Sequence, residues 1–244
     1  MSSPFAFELF VRAMSLRDDM AEDEVAALKS LPVRFEKMPK GVEIIADHAR
    51  ADHSCIITKG LAARAVYTAD GERQLTALHI PGDFVDLHAF LLKIMDHSVV
   101  AMSDCDVAFV SHRSLLEIFT RYPHLGRIFW LSTVVDAAIQ RAWTTSLGRR
   151  TAAQSIGHLV CELHARLSAI GAVVGNSFPL PLTQQELADL LGMSIVHVNR
   201  KLKELRADRL VRMEDGQVHI PNVAQLREFS EFDPIYLNFF KEPR

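Results

Sequence analysis

The segment "LTQQELADLLGMSIVHVNRKLKELRADRLVRMEDGQVHI", residues 182–220, constrains the fold of this chain more than any other part. Thr183 and Glu186 have the spacing of a capping box, in which each side chain satisfies a free backbone amide at the start of a helix. Gly192 is suited to end that helix in the left-handed conformation, and Ser194 is suited to begin a second helix. Two short helices joined by a tight glycine turn predict a helix-turn-helix.

The residues that follow these two helices predict a β-hairpin. In "LVRMEDGQVHI" two strand-like runs flank Asp215 and Gly216, and an Asp-Gly pair supplies the positive φ that a tight hairpin turn requires. A hairpin directly after a helix-turn-helix is the wing of a winged helix domain.

The second helix, predicted at about residues 194–206, carries polar groups suited to DNA. With Ile195, Val198, Leu202 and Leu205 predicted on its inner side, the other side faces solvent. Asparagine can bond adenine, arginine can bond guanine, and valine can contact the methyl group of thymine, so we expect this helix to enter the major groove. The predicted DNA-binding residues are Thr183, Gln185, Ser194, Val196, His197, Asn199, Arg200 and Lys203.

Local charge supports this prediction although the whole chain is weakly acidic. Residues 149–212 contain nine lysines and arginines against five acidic residues, whereas the 244-residue chain has a formal net charge of −3. Basic charge attracts the phosphate backbone of nucleic acids. We therefore expect a nucleic-acid partner for this region alone.

The rest of the chain predicts a β-domain and a long helix. Short apolar runs between residues 33 and 110 alternate with turn signals, which favours a small antiparallel barrel or roll, and "AARAVYTADGERQLTALHI" is its clearest hairpin. An amphipathic pattern then begins near Leu125, and its apolar stripe predicts a dimer seam, with packing against the protein's own roll as the alternative. The predicted seam residues are Ile128, Leu131, Val135, Ala138 and Ala142.

Taken together, these segments resemble the Crp/Fnr superfamily of bacterial transcription regulators. The winged-helix segment carries the more specific likeness, and "CIITKGLAARAVYTADGERQLTALHIPGDF" resembles the strands that lead to the family's turn at residues 81–84. The resemblance implies an α+β fold: an antiparallel β-roll sensor domain of the double-stranded β-helix or jelly-roll type at 1–123, a dimerisation helix at 124–146 and a winged helix-turn-helix at 147–244.

The resemblance also implies how the protein acts. A homodimer would bind a palindromic site on double-stranded DNA, and RNA polymerase would be a further partner if the protein activates transcription. Arg200 matches the family's guanine-contacting arginine, whereas Val196 replaces a common glutamate and Asn199 a common serine or glycine. These departures predict an altered half-site. The alternative function is a small-molecule sensor whose C-terminal domain contacts a protein rather than DNA.

The sensor domain departs from the cyclic-nucleotide-binding members of this family. Those members follow the turn with Gly-Glu and later carry Arg-Ser, and they use the glutamate for a ribose hydroxyl and the arginine for the cyclic phosphate. This chain lacks both groups, which argues against cyclic nucleotide. Any effector pocket is predicted to involve Gly82, Asp86, Leu87, His88, His97 and Ser98. Haem remains open because His79 also lies near this region, and binding of no effector is the third alternative.

The spacing of the cysteines and the lack of catalytic motifs argue against a metal site and against an enzyme. Cys55, Cys105 and Cys161 are too widely spaced for a zinc or iron–sulfur pattern, and no cysteine precedes Cys55, where the family's oxygen sensors have a cysteine-rich segment. We see no nucleophile–base pair, P-loop or metal-ligand spacing, so we predict no metal and no enzyme activity.

The N-terminal apolar stretch does not predict a secretory signal. Glu8 and Arg12 interrupt it and no basic segment precedes it. No run approaches the roughly 18 apolar residues of a membrane span. We therefore expect a cytoplasmic protein without a membrane partner.

Overall fold

The computed structural model describes residues 6–243, so the ends of the first and last predicted domains, residues 1–5 and 244, lie outside the described part. The chain divides into two compact units. The first comprises the chain up to Val66, Ala77–Ala137 and the stretch from Phe239, and the second comprises Tyr67–Thr76 and Ala138–Asn238. Among the described residues, no helix combines the length and apolar character that crossing a membrane requires.

In the part of the chain that the structure describes, seven strands and four short helices precede the long helix. The strands are β1 (Val33–Met38), β2 (Glu43–Ile45), β3 (His53–Lys59), β4 (Ala62–Tyr67), β5 (Arg73–His79), β6 (Ser98–Ala101) and β7 (Cys105–Ser111). The helices are α1 (Glu8–Met14), α2 (Glu22–Ser30), α3 (Ala89–Leu92) and α4 (His112–Arg121).

The strands form two sheets, with the orders β1-β7-β3 and β2-β6-β4-β5. Strand β7 pairs antiparallel with β1 and β3, and β6 pairs antiparallel with β2 and β4. The predicted antiparallel roll is therefore confirmed. Strands β4 and β5 form the predicted hairpin, whose turn holds Gly71 at φ +87°, in the left-handed region that glycine adopts without a Cβ clash.

An aromatic cluster joins the N-terminal helix to the roll. The rings of Phe7 and Phe10 lie beside those of Phe84 and Phe129, with centroid separations between 4.8 and 6.4 Å. Phe7, Phe10 and Phe129 are almost completely buried. The N-terminal apolar stretch is thus, from Ala6 onward, part of the core of the first unit.

The long helix, α5 (Pro123–Arg149), buries part of the stripe that we predicted as a dimer seam. Ile128 is fully buried and Val135 is 7% exposed within the chain itself, so neither is available to a second chain. Their assignment to the seam is corrected to packing inside the protein. The exposed apolar side chains of this helix include Trp130 and Val134, at 71% and 46% exposure.

The second unit contains the remaining elements. They are α6 (Ala152–Ala169), β8 (Ser177–Pro179), α7 (Gln184–Leu191), α8 (Ile195–Ala207), β9 (Arg212–Glu214), β10 (Gln217–His219), α9 (Val223–Phe229) and a 3-10 helix (Pro234–Leu237). Helix α6 begins at a capping box between Thr151 and Gln154 and buries most of its length. The strands form a small antiparallel sheet in the order β8-β10-β9.

Candidate DNA-binding site and sensing region

The turn between α7 and α8 has the local geometry that the sequence predicts. The Thr183 hydroxyl accepts a hydrogen bond from the Glu186 amide at 3.1 Å, and the Glu186 carboxylate accepts one from the Thr183 amide at 2.6 Å. Gly192 ends α7 at φ +61°, and the Ser194 hydroxyl accepts from the His197 amide at 3.3 Å. Both caps and the glycine turn are confirmed, so the two helices of the helix-turn-helix are fixed by short-range interactions.

One side of α8 anchors the helix. Val198 is fully buried and Leu205 is 1% exposed. Leu202 is half-buried. The prediction for Ile195 is wrong, because this side chain is 39% exposed in the first turn of the helix. The anchor thus consists mainly of Val198 and Leu205, which lie seven residues apart and so share one helix face.

The other side of α8 presents the predicted DNA-binding groups. Val196 is 79% exposed. Arg200 and Lys203 are exposed, and His197 and Asn199 are half-buried. This face combines cationic, amide, imidazole and apolar groups within about two helical turns.

Ion pairs divide the basic residues of α8 into two groups. Arg206 pairs with Glu214 of the wing at 2.6 Å, and Lys201 pairs with Glu204 at 2.6 Å. Within the described part of the chain, Arg200 and Lys203 form no ion pair. Their charges are therefore the ones available to a nucleic acid.

Two further predicted residues lie at the start of α7. Thr183 is exposed but uses its hydroxyl as a helix cap, and the exposed Gln185 amide donates to the Asp189 carboxylate at 2.6 Å. Both are placed where an approaching phosphate would meet the positive end of the helix dipole.

The wing is a hairpin of β9 and β10. Asp215 and Gly216 take φ values of +50° and +70°, as a tight turn of this type requires. Val218 is fully buried, and it pairs with Met213 of β9 and Phe178 of β8. The hairpin predicted from Asp-Gly is thus confirmed, and β8 pairs with β10 as the third strand of its sheet.

The residues predicted for an effector pocket each make contacts of their own inside the first unit. Gly82 takes φ +96° and lies against Leu9, and Leu87 packs on the apolar core of the first unit. The Asp86 carboxylate accepts the Cys55 amide at 2.7 Å, and burial raises its pKa to about 7. Ser98 donates to the Glu43 carboxylate.

His88 and His97 are the two predicted pocket residues that the fold brings together. Their ring centroids lie 5.1 Å apart. Burial lowers the pKa of His88 to about 4 and also lowers the pKa of His97, and the charge of Arg64 adds to both effects. The two rings are therefore neutral near pH 7. His79 lies elsewhere, beside Asp83 at 3.8 Å.

Arg64 and Asp136 form a buried ion pair that sequence analysis missed. The guanidinium donates to the Asp136 carboxylate at 2.6 Å and to the carbonyl of Val85 at 2.9 and 3.0 Å. Arg64 lies on β4 and Asp136 on α5, 72 residues apart, so no local pattern indicated that they meet.

The comparisons with known proteins agree with both units. Residues 154–229 match the model of the Crp-like helix-turn-helix domain, and residues 35–122 match that of the cyclic nucleotide-binding domain. These two domains in this order define one family. The chain belongs to the Crp/Fnr superfamily. This Crp/Fnr protein is therefore a transcription regulator with a helix-turn-helix DNA-binding domain.

Individual relatives are distant but cover most of this chain. The chain is 27% identical to the transcriptional activator protein FnrL of Cereibacter sphaeroides over 86% of its own length and 83% of the relative. It is 24% identical to the nitrogen fixation regulation protein FixK of Azorhizobium caulinodans over 86% and 80%. The solved structure of FixK2 from Bradyrhizobium japonicum shares its fold, with a TM-score of 0.74, 23% identity, and coverage of 81% of this chain and 97% of that one.

The sensor domain of this Crp/Fnr protein does not fit a cyclic nucleotide. A cyclic phosphate needs a cation that is free to bind it. The histidine at position 97 is kept neutral by burial, and the buried Arg64 already bonds Asp136 and a backbone carbonyl. Neither His97 nor Arg64 therefore offers a free cation to a cyclic phosphate.

Proposed function

We propose that this Crp/Fnr protein acts as a homodimer on a palindromic DNA site, with α8 of each chain in the major groove. The exposed face of α8 is the observation that carries the proposal, because Arg200 and Lys203 leave their charges unpaired there while Val198 and Leu205 hold the helix from behind. Half-sites one helical turn of DNA apart would match such a dimer.

The altered neighbours of Arg200 support a site preference that differs from the usual one of the family. Arg200 is proposed to bond a guanine, and Asn199 and His197 to contact adjacent bases. Val196, which is 79% exposed, supports an apolar contact with a thymine methyl group.

A dimer through α5 is supported by the apolar surface that this helix leaves exposed. Trp130 and Val134 are exposed, and Leu131, Ala138 and Ala142 are half-buried. Large exposed apolar groups on one helix are suited to packing against a second copy. The names of the relatives support an activating role, and RNA polymerase would then be the second partner.

The test is selection of bound DNA from a random pool, followed by affinity measurement on the selected site. Wild-type protein is expected to enrich a palindrome. Arg200→Ala is expected to lose about 1–3 kcal/mol of discrimination at one base position, while its fold and oligomeric state persist. Arg206→Ala is the matched control, because it removes the same charge from the same helix at a residue paired with Glu214.

Two results would contradict the proposal. Undiminished sequence preference in Arg200→Ala would remove the proposed role of that residue. A wild-type protein that enriches no sequence at low salt would favour the alternative, a sensor whose C-terminal domain contacts a protein. Analytical ultracentrifugation of wild type and Trp130→Glu tests the dimer, and a monomeric wild type would exclude it.

A further inference from the structure

The pair His88 and His97 is part of a group that can ligate a metal ion. One nitrogen of each ring and a carboxylate oxygen of Asp96 all lie within 4.8 Å of one another. In a tetrahedral site with bonds of about 2.0–2.1 Å the ligand atoms lie about 3.3 Å apart, so the side chains must turn toward one another, and the Asp96 carboxylate must leave Nδ1 of His97, to ligate one ion together with Nε2 of that ring.

The hydrogen bonds around the two rings leave nitrogens without a partner. Nδ1 of His97 bonds the Asp96 carboxylate at 2.7 Å. The Nε2 atoms of His88 and His97 are buried and have no hydrogen-bond partner among the described residues, and the side chain of His97 is only 9% exposed. A buried ring nitrogen without a partner loses its hydration without compensation, and a bound metal ion would supply that partner.

From this geometry we propose that His88, His97 and Asp96 form a binding site for a divalent transition-metal ion such as Zn²⁺ in the sensor domain. Imidazole nitrogens are common ligands of such ions, and each ring has a buried Nε2 atom with no hydrogen-bond partner among the described residues. Two imidazoles and one carboxylate suit zinc or iron(II), with water in the remaining positions.

The surroundings of the site allow entry and balance its charge. The Asp96 side chain is 75% exposed, which leaves an open side through which an ion can enter and water can complete the coordination. The charge of Arg64 acts on both rings and opposes a cation, but Asp136, ion-paired with Arg64 at 2.6 Å, acts on them in the opposite sense. No short ligand spacing marks this group in the sequence, because a helix separates His88 from Asp96 and His97.

The test is uptake of Zn²⁺ by the full-length protein after removal of metal, measured by elemental analysis after dialysis and by titration calorimetry. Wild type is expected to bind one ion per chain. His88→Asn and His97→Asn are each expected to abolish this uptake, and Asp96→Asn to weaken it. His164→Asn is the matched control, because among the described residues the Nε2 atom of His164 is also buried without a partner but belongs to no such cluster.

Two further measurements keep the result decisive. Circular dichroism of each variant shows whether it is folded, and Co²⁺ in wild-type protein should give visible absorption bands that His88→Asn lacks. Absence of Zn²⁺ and Co²⁺ binding in wild type, or binding retained in both histidine variants, would overturn the site. A Soret band in the native protein that disappears in His97→Asn would show that the site binds haem rather than a metal ion. The measurements use no DNA, so their outcome is independent of the proposed DNA-binding function.

Discussion

The proposed DNA-binding face of the second unit and the buried charges of the first are built in opposite ways. On α8 the predicted DNA-binding groups lie within eight consecutive residues, from Val196 to Lys203, and they are exposed or half-buried. In the first unit Arg64 and Asp136 come from a strand and a helix 72 residues apart, and their side chains are only 10% and 25% exposed. A surface that meets DNA needs free charges, whereas a charge in the interior must have a partner.

The largest effect is expected from breaking the buried pair of the first unit. Asp136→Ala would leave the Arg64 guanidinium desolvated without its carboxylate, and we expect the free energy of unfolding to fall by about 3–5 kcal/mol. Chemical denaturation followed by circular dichroism measures this change. The control is Glu117→Ala, whose partner Arg113 lies on the same exposed helix surface, and no measurable loss is expected there. Equal losses in the two variants would show that burial does not distinguish these ion pairs.

The second unit also buries an ionisable side chain, that of His158, so the comparison with the first unit can be tested there. Burial and the charge of Arg150 lower the pKa of His158 to about 4, and its ring stacks on Tyr236 at 5.8 Å. Since the unfolded chain binds a proton near pH 6.5 and the folded protein does not, stability is lost as the pH falls from about 6.5 to 4. This residue contributes at most about 3 kcal/mol to that loss.

The measurement compares wild type with His158→Phe at pH 8 and at pH 4.5. Any difference at pH 8 reports packing alone, and the variant is expected to lose less stability than wild type between the two values. An unchanged loss would mean that this ring does not titrate between them.

A smaller effect is expected at the start of α7. Thr183→Ala removes the hydroxyl that accepts the Glu186 amide, and we expect about 1 kcal/mol less stability from the lost cap. Thr183→Ser keeps the hydroxyl and serves as the control. If the serine variant were destabilised as much as the alanine variant, the cap would not be the cause.

The smallest effect is expected on the DNA-binding face. If Lys203 meets a phosphate, Lys203→Ala should weaken binding uniformly across sequences and reduce the slope of log affinity against log salt by about one. Fluorescence anisotropy at several salt concentrations measures both quantities. A change in sequence preference would instead assign Lys203 to a base contact.

Short-range patterns predicted the parts of the molecule that depend on neighbours in sequence. Interactions within a few residues fix the capping box, the turn at Gly192 and the wing turn at Gly216. The residue types at these positions therefore predict them. The same logic failed at Ile195, where periodicity placed an apolar side chain inside although the first turn of α8 leaves it exposed.

The sequence by itself determined the winged helix, the roll with its hairpin and the family of this protein, because helix caps, turn residues and apolar periodicity act locally. Only the tertiary structure decided that Ile128 and Val135 pack inside the chain, that Arg64 meets Asp136 and that His88 lies beside His97. Those contacts join residues that are not neighbours in sequence, and the widest separation is the 72 residues between Arg64 and Asp136. They depend on how the strands and the long helix pack, which no local pattern encodes.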